Sequence, residues 1–335
     1  MKIKDIELPH GLMLCPMAGV TDRAFRLICA RYGAEYTVTE MVSAKALVYE
    51  QRGRDGTPIR TAPLCAVDEG IPTSVQIFGC EPDFMREAAR LISTGEYRGF
   101  SGRLPAAIDI NMGCPVRKVA MNGEGSALMR DPGLAAAVTA AVVDGAGGRV
   151  PVTVKIRAGW DGEHKNAPEV ARAVEAAGAA AICVHARTRE QLYQPGIDLS
   201  VIRRVKEAVS VPVFGNGDVN TPDSALEMLA ASGCDGIGIA RGSIGEPWIF
   251  RRIAAAIDGA EYPEPDDRER LDTALEHLRL TVAFKGERRG VAEAKPQIAR
   301  YIRSVTGAVK LRDSIIRADT LAGVESVLNA LIERL

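Results

Sequence analysis

Eight short β-rich runs alternate with helix-patterned stretches between residue 12 and about residue 250, and this alternation limits the fold more than any other feature. The runs are Leu12–Met17, Tyr36–Met41, Ser74–Phe78, Ala107–Asn111, Val152–Arg157, Ala180–His185, Val211–Gly215 and Gly236–Ala240. Amphipathic or Ala-rich stretches such as Asp83–Ser93, Gly133–Val143, Glu169–Ala177 and Asp223–Ala231 lie between them. Near-continuous apolar strands imply a parallel sheet whose outer face is covered by helices. An open, doubly wound sheet is the alternative. The count of eight, with polar residues gathered at strand C-termini, favours an α/β fold of the (β/α)8 TIM-barrel type.

After Ile253 the pattern changes. The Pro- and Asp-rich stretch AIDGAEYPEPDDRER reads as a linker, and no strand pattern follows it. The remainder predicts helices over Leu271–Phe284, from about Lys295 to Val305, and over Asp319–Leu335. Pro296 is expected in the first turn of the middle helix, where a missing N–H costs nothing. The expected division is a catalytic barrel over residues 1–255 and a small all-helical domain over 256–335.

No run of about 18 uncharged apolar residues is present, and no signal-peptide h-region precedes Pro16, so the expectation is a cytoplasmic protein without a membrane partner. Seven scattered cysteines without a Cys-x-x-Cys pair argue for a reducing compartment and against a bound metal. Charge is uneven. Between Lys285 and Arg317 nine Lys/Arg face three Asp/Glu, a net +6 segment in a chain of net −1. A solvated helical face and a polyanion-binding face are both consistent with that.

Active sites of (β/α)8 enzymes lie at the C-terminal ends of the strands. There this chain has Pro16, Met17 and Ala18, Glu40, Gln76, then Asn111 through Pro115, Lys155 with Arg157, and His185 with Arg187. The last two strands end in Gly215-Asn216-Gly217-Asp218 and Ala240-Arg241-Gly242. Short Gly-containing turns at these two positions suit a phosphate, which backbone N–H groups approach closely. Ordinary β-to-α turns also favour Gly. Period-2 alternation points Lys155 into the barrel, where a lysine needs a partner. A Schiff base, a charge facing the N1/O2 side of a reduced flavin, and a salt bridge to Glu40 are the three readings. Cys114, between Gly113 and Pro115 in a loop, is placed to act as acid or nucleophile. His185 can be a general acid, a cofactor contact or a core histidine.

Taken in order, PMAGVTDRAFR (16–26), TEMVSAKAL (39–47), VQIFG (75–79), DINMGCPVRKV (109–119), VKIRAGWD (154–161), VHARTREQLYQPG (184–196), VFGNGDVNTPDSA (213–225) and IARGSIGEPWIF (239–250) resemble the tRNA-dihydrouridine synthases. The resemblance spans nearly the whole chain and is nearest the bacterial B-type branch. It implies FMN at the barrel mouth, NADPH as hydride donor and tRNA as partner. By the same resemblance Pro16, Met17 and Ala18 contact the isoalloxazine through backbone, and Gln76 hydrogen-bonds the ring. Lys155 faces N1/O2 with His185 close by, while Asn216, Gly217, Asp218, Ala240 and Arg241 hold the ribityl phosphate end. Cys114 is the implied catalytic acid, Asn111 and Arg187 are implied contacts of the substrate, and Lys295 and Arg300 implied contacts of the RNA. The implied reaction moves hydride from flavin N5 to C6 of a flipped D-loop uridine and a proton from Cys114 to C5.

Two departures stand out. The family commonly has Gly at the position of Ala240, a change that a backbone N–H contact survives. Many bacterial relatives carry an Arg-Lys-His cluster where this chain reads Ala294-Lys295-Pro296-Gln297. The competing functions are an FMN-dependent dihydroorotate or dihydropyrimidine dehydrogenase acting on a free pyrimidine, a Schiff-base lyase, and a silent RNA-binding barrel.

Overall fold

The computed structural model describes residues 1–51, 53, 59–68, 70–100, 102–305 and 309–335; the side chain of Lys310, one of the nine basic positions, lies outside the description. Strands β1 (Leu12–Leu14), β2 (Tyr36–Val38), β3 (Thr73–Phe78), β4 (Ala107–Met112), β5 (Val152–Gly159), β6 (Ala181–Thr188), β7 (Val213–Asn216) and β8 (Gly236–Ile239) all run parallel. Each pairs with the next, and β8 pairs with β1 through Ile239↔Leu14, so the sheet is closed. The open-sheet alternative is thereby excluded. Val42–Ser43 continues the path of β2 along β3, and a two-stranded hairpin, Lys2–Ile3 with Ile6–Glu7, precedes the barrel.

Every residue of β4 and β6 is buried, as expected of strands covered on both sides. Their interiors nevertheless carry polar residues. Asp109, Asn111, His185 and Arg187 are buried in strands whose other residues are mainly Ile, Val and Ala. Helices α1 (Arg23–Arg31), α2 (Ala44–Gln51), α3 (Pro82–Thr94), α4 (Pro132–Ala146), α5 (Ala167–Ala176), α6 (Leu199–Ala208), α7 (Pro222–Ser232) and α8 (Ile249–Ile257) follow the strands in turn. Several start on a polar cap: Asp131 accepts the Leu134 N–H at 2.9 Å, and Thr221 and Ser224 form a reciprocal capping box before α7.

Four further helices complete the chain: α9 (Asp267–Lys285), α10 (Glu287–Tyr301), α11 (Val309–Arg317) and α12 (Leu321–Ile332). Their apolar faces share a core with Ile28 of α1, with Tyr32 just after it, and with Trp248, whose indole meets Tyr301 edge-on at 5.9 Å. The expected helix start at Pro296 is corrected by the structure. The helix begins at Glu287 and Pro296 lies in its interior. Burial of Val291, Ala294, Ile298 and Tyr301 outweighs the lost backbone bond. Gly290 permits the tight α9–α10 approach, since a Cβ there would stand 2.6 Å from the Val282 Cα. Helix α11 was not foreseen. Among the described residues no helix is long and apolar enough to cross a membrane.

Candidate active site

The strand ends open into one cavity of about 420 Å³, within the size of small-ligand sites. Cys114, Asn111, Pro16, Met17, Ala18, Gln76, Lys155, His185, Asn216, Gly217, Asp218, Ala240 and Arg241 all line it. Sequence reasoning therefore brought together residues from seven strand ends. Arg187, Lys295 and Arg300 do not line it.

The turn after β1 is fixed from three sides. Thr21 Oγ1 accepts the Met17 N–H (2.9 Å), Glu40 accepts the Gly19 N–H (2.5 Å), and Asp22 caps α1 through the Phe25 N–H (3.0 Å). Glu40 is thus occupied with backbone rather than with Lys155. Among the described residues Lys155 forms no ion pair; its ammonium donates to Asn216 Oδ1 at 3.2 Å, and Asn216 Nδ2 donates to the Gly238 carbonyl at 2.7 Å. A cation held by one neutral amide at the floor of a cavity is available to an anionic ligand edge.

His185 is buried, and burial, together with Lys155, Arg157, Arg187 and Arg241 around it, holds its pKa well below the ordinary histidine value. It is neutral at pH 7. Its Nε2 lies 3.4 Å from Arg187 Nη1, which can only donate, so Nε2 accepts and the ring proton sits on Nδ1. Arg187 stands behind the site. Its guanidinium, 1% exposed, also donates to the Gln194 carbonyl (2.6 Å) and to Asp218 Oδ2 (2.5 Å).

The two final turns press against each other. A Cβ on Gly242 would fall 2.1 Å from the Val219 carbonyl, and one on Gly217 (φ 137°) 3.1 Å from Ile197. Glycines there let the backbone of 216–220 and 240–242 form one rim, a cradle of the kind that takes a phosphate. Asp218, itself at φ 47°, bridges Arg187 and Arg241. Ala240 stands where the family commonly has Gly, and it lines the cavity at the turn after β8. A rim of backbone N–H groups, a floor lysine and a neutral histidine fit a flavin phosphate and ring.

Cys114 is partly exposed at the opposite lip. Burial raises its pKa above the ordinary thiol value, while the Val116 N–H and Arg157 pull the other way. The thiol is therefore protonated at neutral pH. Its backbone is pinned: Asn111 Oδ1 accepts the N–H of Gly113 (3.1 Å) and of Cys114 (2.9 Å), and Ser126 N–H donates to the Cys114 carbonyl (3.1 Å). Arg157, placed at the mouth by sequence but given no role there, donates to the Gly113 carbonyl (2.7 Å) and to the carbonyls of Thr188 and Leu192 (2.9 and 3.2 Å). Tyr193 also lines the cavity, with the Arg241 guanidinium 5.1 Å from its ring. It belongs to the segment VHARTREQLYQPG (184–196), but a loop aromatic carries no periodic signal that marks it as a site residue.

The RNA-contact candidates lie on α10. Lys295 donates to the Ala318 carbonyl (2.8 Å) and approaches Asp319 (3.4 Å), so its ammonium is engaged. Arg300 is exposed. With Arg288, Arg303, Arg312 and Arg317 it is exposed and without an ion-pair partner among the described residues. Lys285 and Arg289, by contrast, are paired with Glu293, and Lys285 also with Asp22.

Comparison with known proteins agrees with this geometry. Residues 13–334 match the family described as Dihydrouridine synthase (Dus). A probable tRNA-dihydrouridine synthase of Rickettsia bellii is 38% identical over 318 residues, covering 94% of this chain and 92% of the relative. The tRNA-dihydrouridine synthase B of Pseudomonas aeruginosa is 40% identical over 337 residues, covering 100% and 96%. Among solved structures, a 6-hydroxypseudooxynicotine amine oxidase from Pseudomonas geniculata N1 (TM-score 0.55, 16% identity, 77% of this chain and 49% of that one) shares the fold. So does histamine dehydrogenase from Rhizobium sp. 4-9 (TM-score 0.53, 15% identity, 83% and 51%); the chain spans about half the length of either. A family match over nearly the full length, on a closed barrel with this cavity, settles the assignment: the chain belongs to the dihydrouridine synthase family of flavin-dependent oxidoreductases.

Proposed function

We propose that the chain reduces the C5–C6 double bond of a D-loop uridine in tRNA, with FMN as the bound flavin, NADPH as hydride donor and Cys114 as acid. The observation that carries the proposal is a partly exposed thiol, held by its backbone, sharing one cavity with a lysine floor and a double glycine rim. When bound and reduced, the flavin supplies hydride from N5 to uracil C6.

The rest falls to this chain's residues. Pro16, Met17 and Ala18 offer backbone to the ring system, and Gln76 an amide. Lys155 presents positive charge to the N1/O2 edge, and the neutral His185 offers a hydrogen bond beside it. Asn216, Gly217, Asp218, Ala240 and Arg241 hold the phosphate end, with Asp218 keeping Arg241 in place rather than meeting the anion itself. Cys114 keeps its proton on Sγ until carbanion character builds at C5, then delivers it there. A uridine reaches this cavity only by leaving its stack. Residues 256–335 grip the RNA through the exposed arginines, and residues 1–255 carry the chemistry.

The decisive experiment incubates the protein with NADPH and unmodified tRNA, then maps nucleosides by mass spectrometry. The expected result is one D-loop uridine gaining the mass of two hydrogens. Oxidation of NADPH by a flavin-loaded protein with no gain in any tRNA would transfer the assignment to a free-pyrimidine reductase.

A further inference from the structure

Beneath the cavity lies a carboxylate that the reaction above does not use. Asp109 on β4 is 4% exposed and does not line the cavity. It sits beside Gln76 of β3 and Thr153 of β5 in the barrel register, and two residues before Asn111 on the same strand face. Thr153 Oγ1 donates to its Oδ1 at 2.5 Å and Gln76 Nε2 to its Oδ2 at 2.7 Å.

These bonds have a direction. A carboxylate accepts, so it draws the Nε2 end of the Gln76 amide toward itself and turns Oε1 away. Gln76 Oε1 then accepts from Asn111 Nδ2 at 2.9 Å. That orients Asn111 in turn, leaving Oδ1 to receive the N–H groups of Gly113 and Cys114. Reversing either amide would set oxygen against the carboxylate or donor against donor. The Asn111 amide, which also points Nδ2 at Met41 Sδ (3.7 Å), is fully engaged in this chain.

We infer that Asp109 is a positioning residue: through the ordered amides of Gln76 and Asn111 it sets the seat of the Cys114 loop by a relay of three hydrogen bonds. The inference rests on the proposed role of Cys114, and its primary readout is chosen to be independent of that role. An oxygen acceptor, not a negative charge, is what the chain requires. Asn at position 109 meets the requirement, with Oδ1 facing Gln76 and Nδ2 donating to the Thr153 hydroxyl, which accepts as well as it donates. Leu copies the branched shape without the oxygens.

The test compares Asp109→Leu and Asp109→Asn with the unaltered flavin-loaded protein. Alkylation of Cys114 by iodoacetamide is followed peptide by peptide, and one round of uridine reduction is timed after prior reduction with NADPH. Asp109→Leu is expected to change the Cys114 alkylation rate by about threefold or more and to slow the uridine step at least about tenfold, since sub-ångström misplacement of a reacting group has such effects. Asp109→Asn is expected to stay within about threefold of the unaltered protein in both, because one hydrogen bond is exchanged for another. Unchanged alkylation in a folded Asp109→Leu protein would overturn the inference, as would a fall in flavin retention alone. Should Asp109→Leu fail to fold, Asp109→Asn still decides: a crippled Asn variant would mean that charge rather than orientation is at work. If no uridine is reduced by any form, alkylation still reports on the seat of Cys114, so the two readings fail separately.

Discussion

Cys114 combines a thiol pKa raised by burial with a backbone held at N–H and carbonyl alike. A general acid must hold its proton at working pH and stand where the charge appears, and such acids contribute about 10²–10⁴-fold. Cys114→Ala is therefore expected to slow uridine reduction by about that factor while leaving NADPH-driven flavin reduction near normal; stopped-flow traces of the two half-reactions separate them. The pH profile follows from the sign of the shift. Below its pKa the thiol is fully protonated, and that pKa is raised, so the uridine step should be flat through neutrality and fall only above the ordinary thiol range. His185, whose pKa is depressed, is already neutral there and adds no inflection near pH 6–7. Which residues could matter was legible from the polar side chains gathered at the strand ends and from the motifs that resemble the family, since Gly at a turn is by itself ambiguous. How they are wired was not. Alternation along β4 says that Asp109 and Asn111 face inward, but the amide chain through Gln76 depends on a register between strands that a single sequence does not display.

Helix α10 shows the same limit at the next scale up. Local rules begin a helix near Pro296, yet the helix runs from Glu287 through it to Tyr301 because its other face is buried against α9. The Pro296 ring is exposed, so it pays back little packing for the N–H it lacks. Pro296→Ala restores a donor to the Ala292 carbonyl and is expected to raise the stability of the protein by about 1–3 kcal/mol, the usual cost of an interior proline. Urea unfolding would show a higher midpoint at unchanged slope. The eight barrel strands were legible because their burial on both faces leaves long apolar runs between Gly- and Pro-marked turns. Their ends shifted by a few residues: β5 and β6 run on to Gly159 and Thr188, since paired backbone continues as long as a neighbour offers partners. Tertiary packing, which decided α10, leaves no such local mark.

Barrel and terminal helices are joined close to the chemistry. Lys285 of α9 pairs with Asp22, Gln297 Nε2 reaches the Val20 carbonyl at 3.5 Å, and Arg270 pairs with Glu246 at 2.6 Å. Val20 and Ile244 line the cavity, and a Cβ on Gly245 would fall 2.5 Å from the Arg300 Cβ. Arg300 thus stands beside the turn after β8, exposed; on the proposed function, an extruded uridine would pass that turn to reach the cavity. A phosphate flanking that uridine would meet it, whereas Lys295 one turn earlier is spent on the Ala318 carbonyl. The two residues should therefore separate by experiment. Arg300→Ala is expected to weaken tRNA binding and to reduce the slope of log affinity against log salt by about 0.7–0.9, the value of one phosphate contact, with KM raised and the rate at saturation little changed. Lys295→Ala is expected to leave that slope alone and to lower the unfolding midpoint instead, by the worth of a charged hydrogen bond, about 1.5–3 kcal/mol. Salt-titrated binding and urea unfolding of both variants measure the two quantities, and an equal loss of slope in both would mean that α10 meets the RNA along its length rather than at the rim of the mouth.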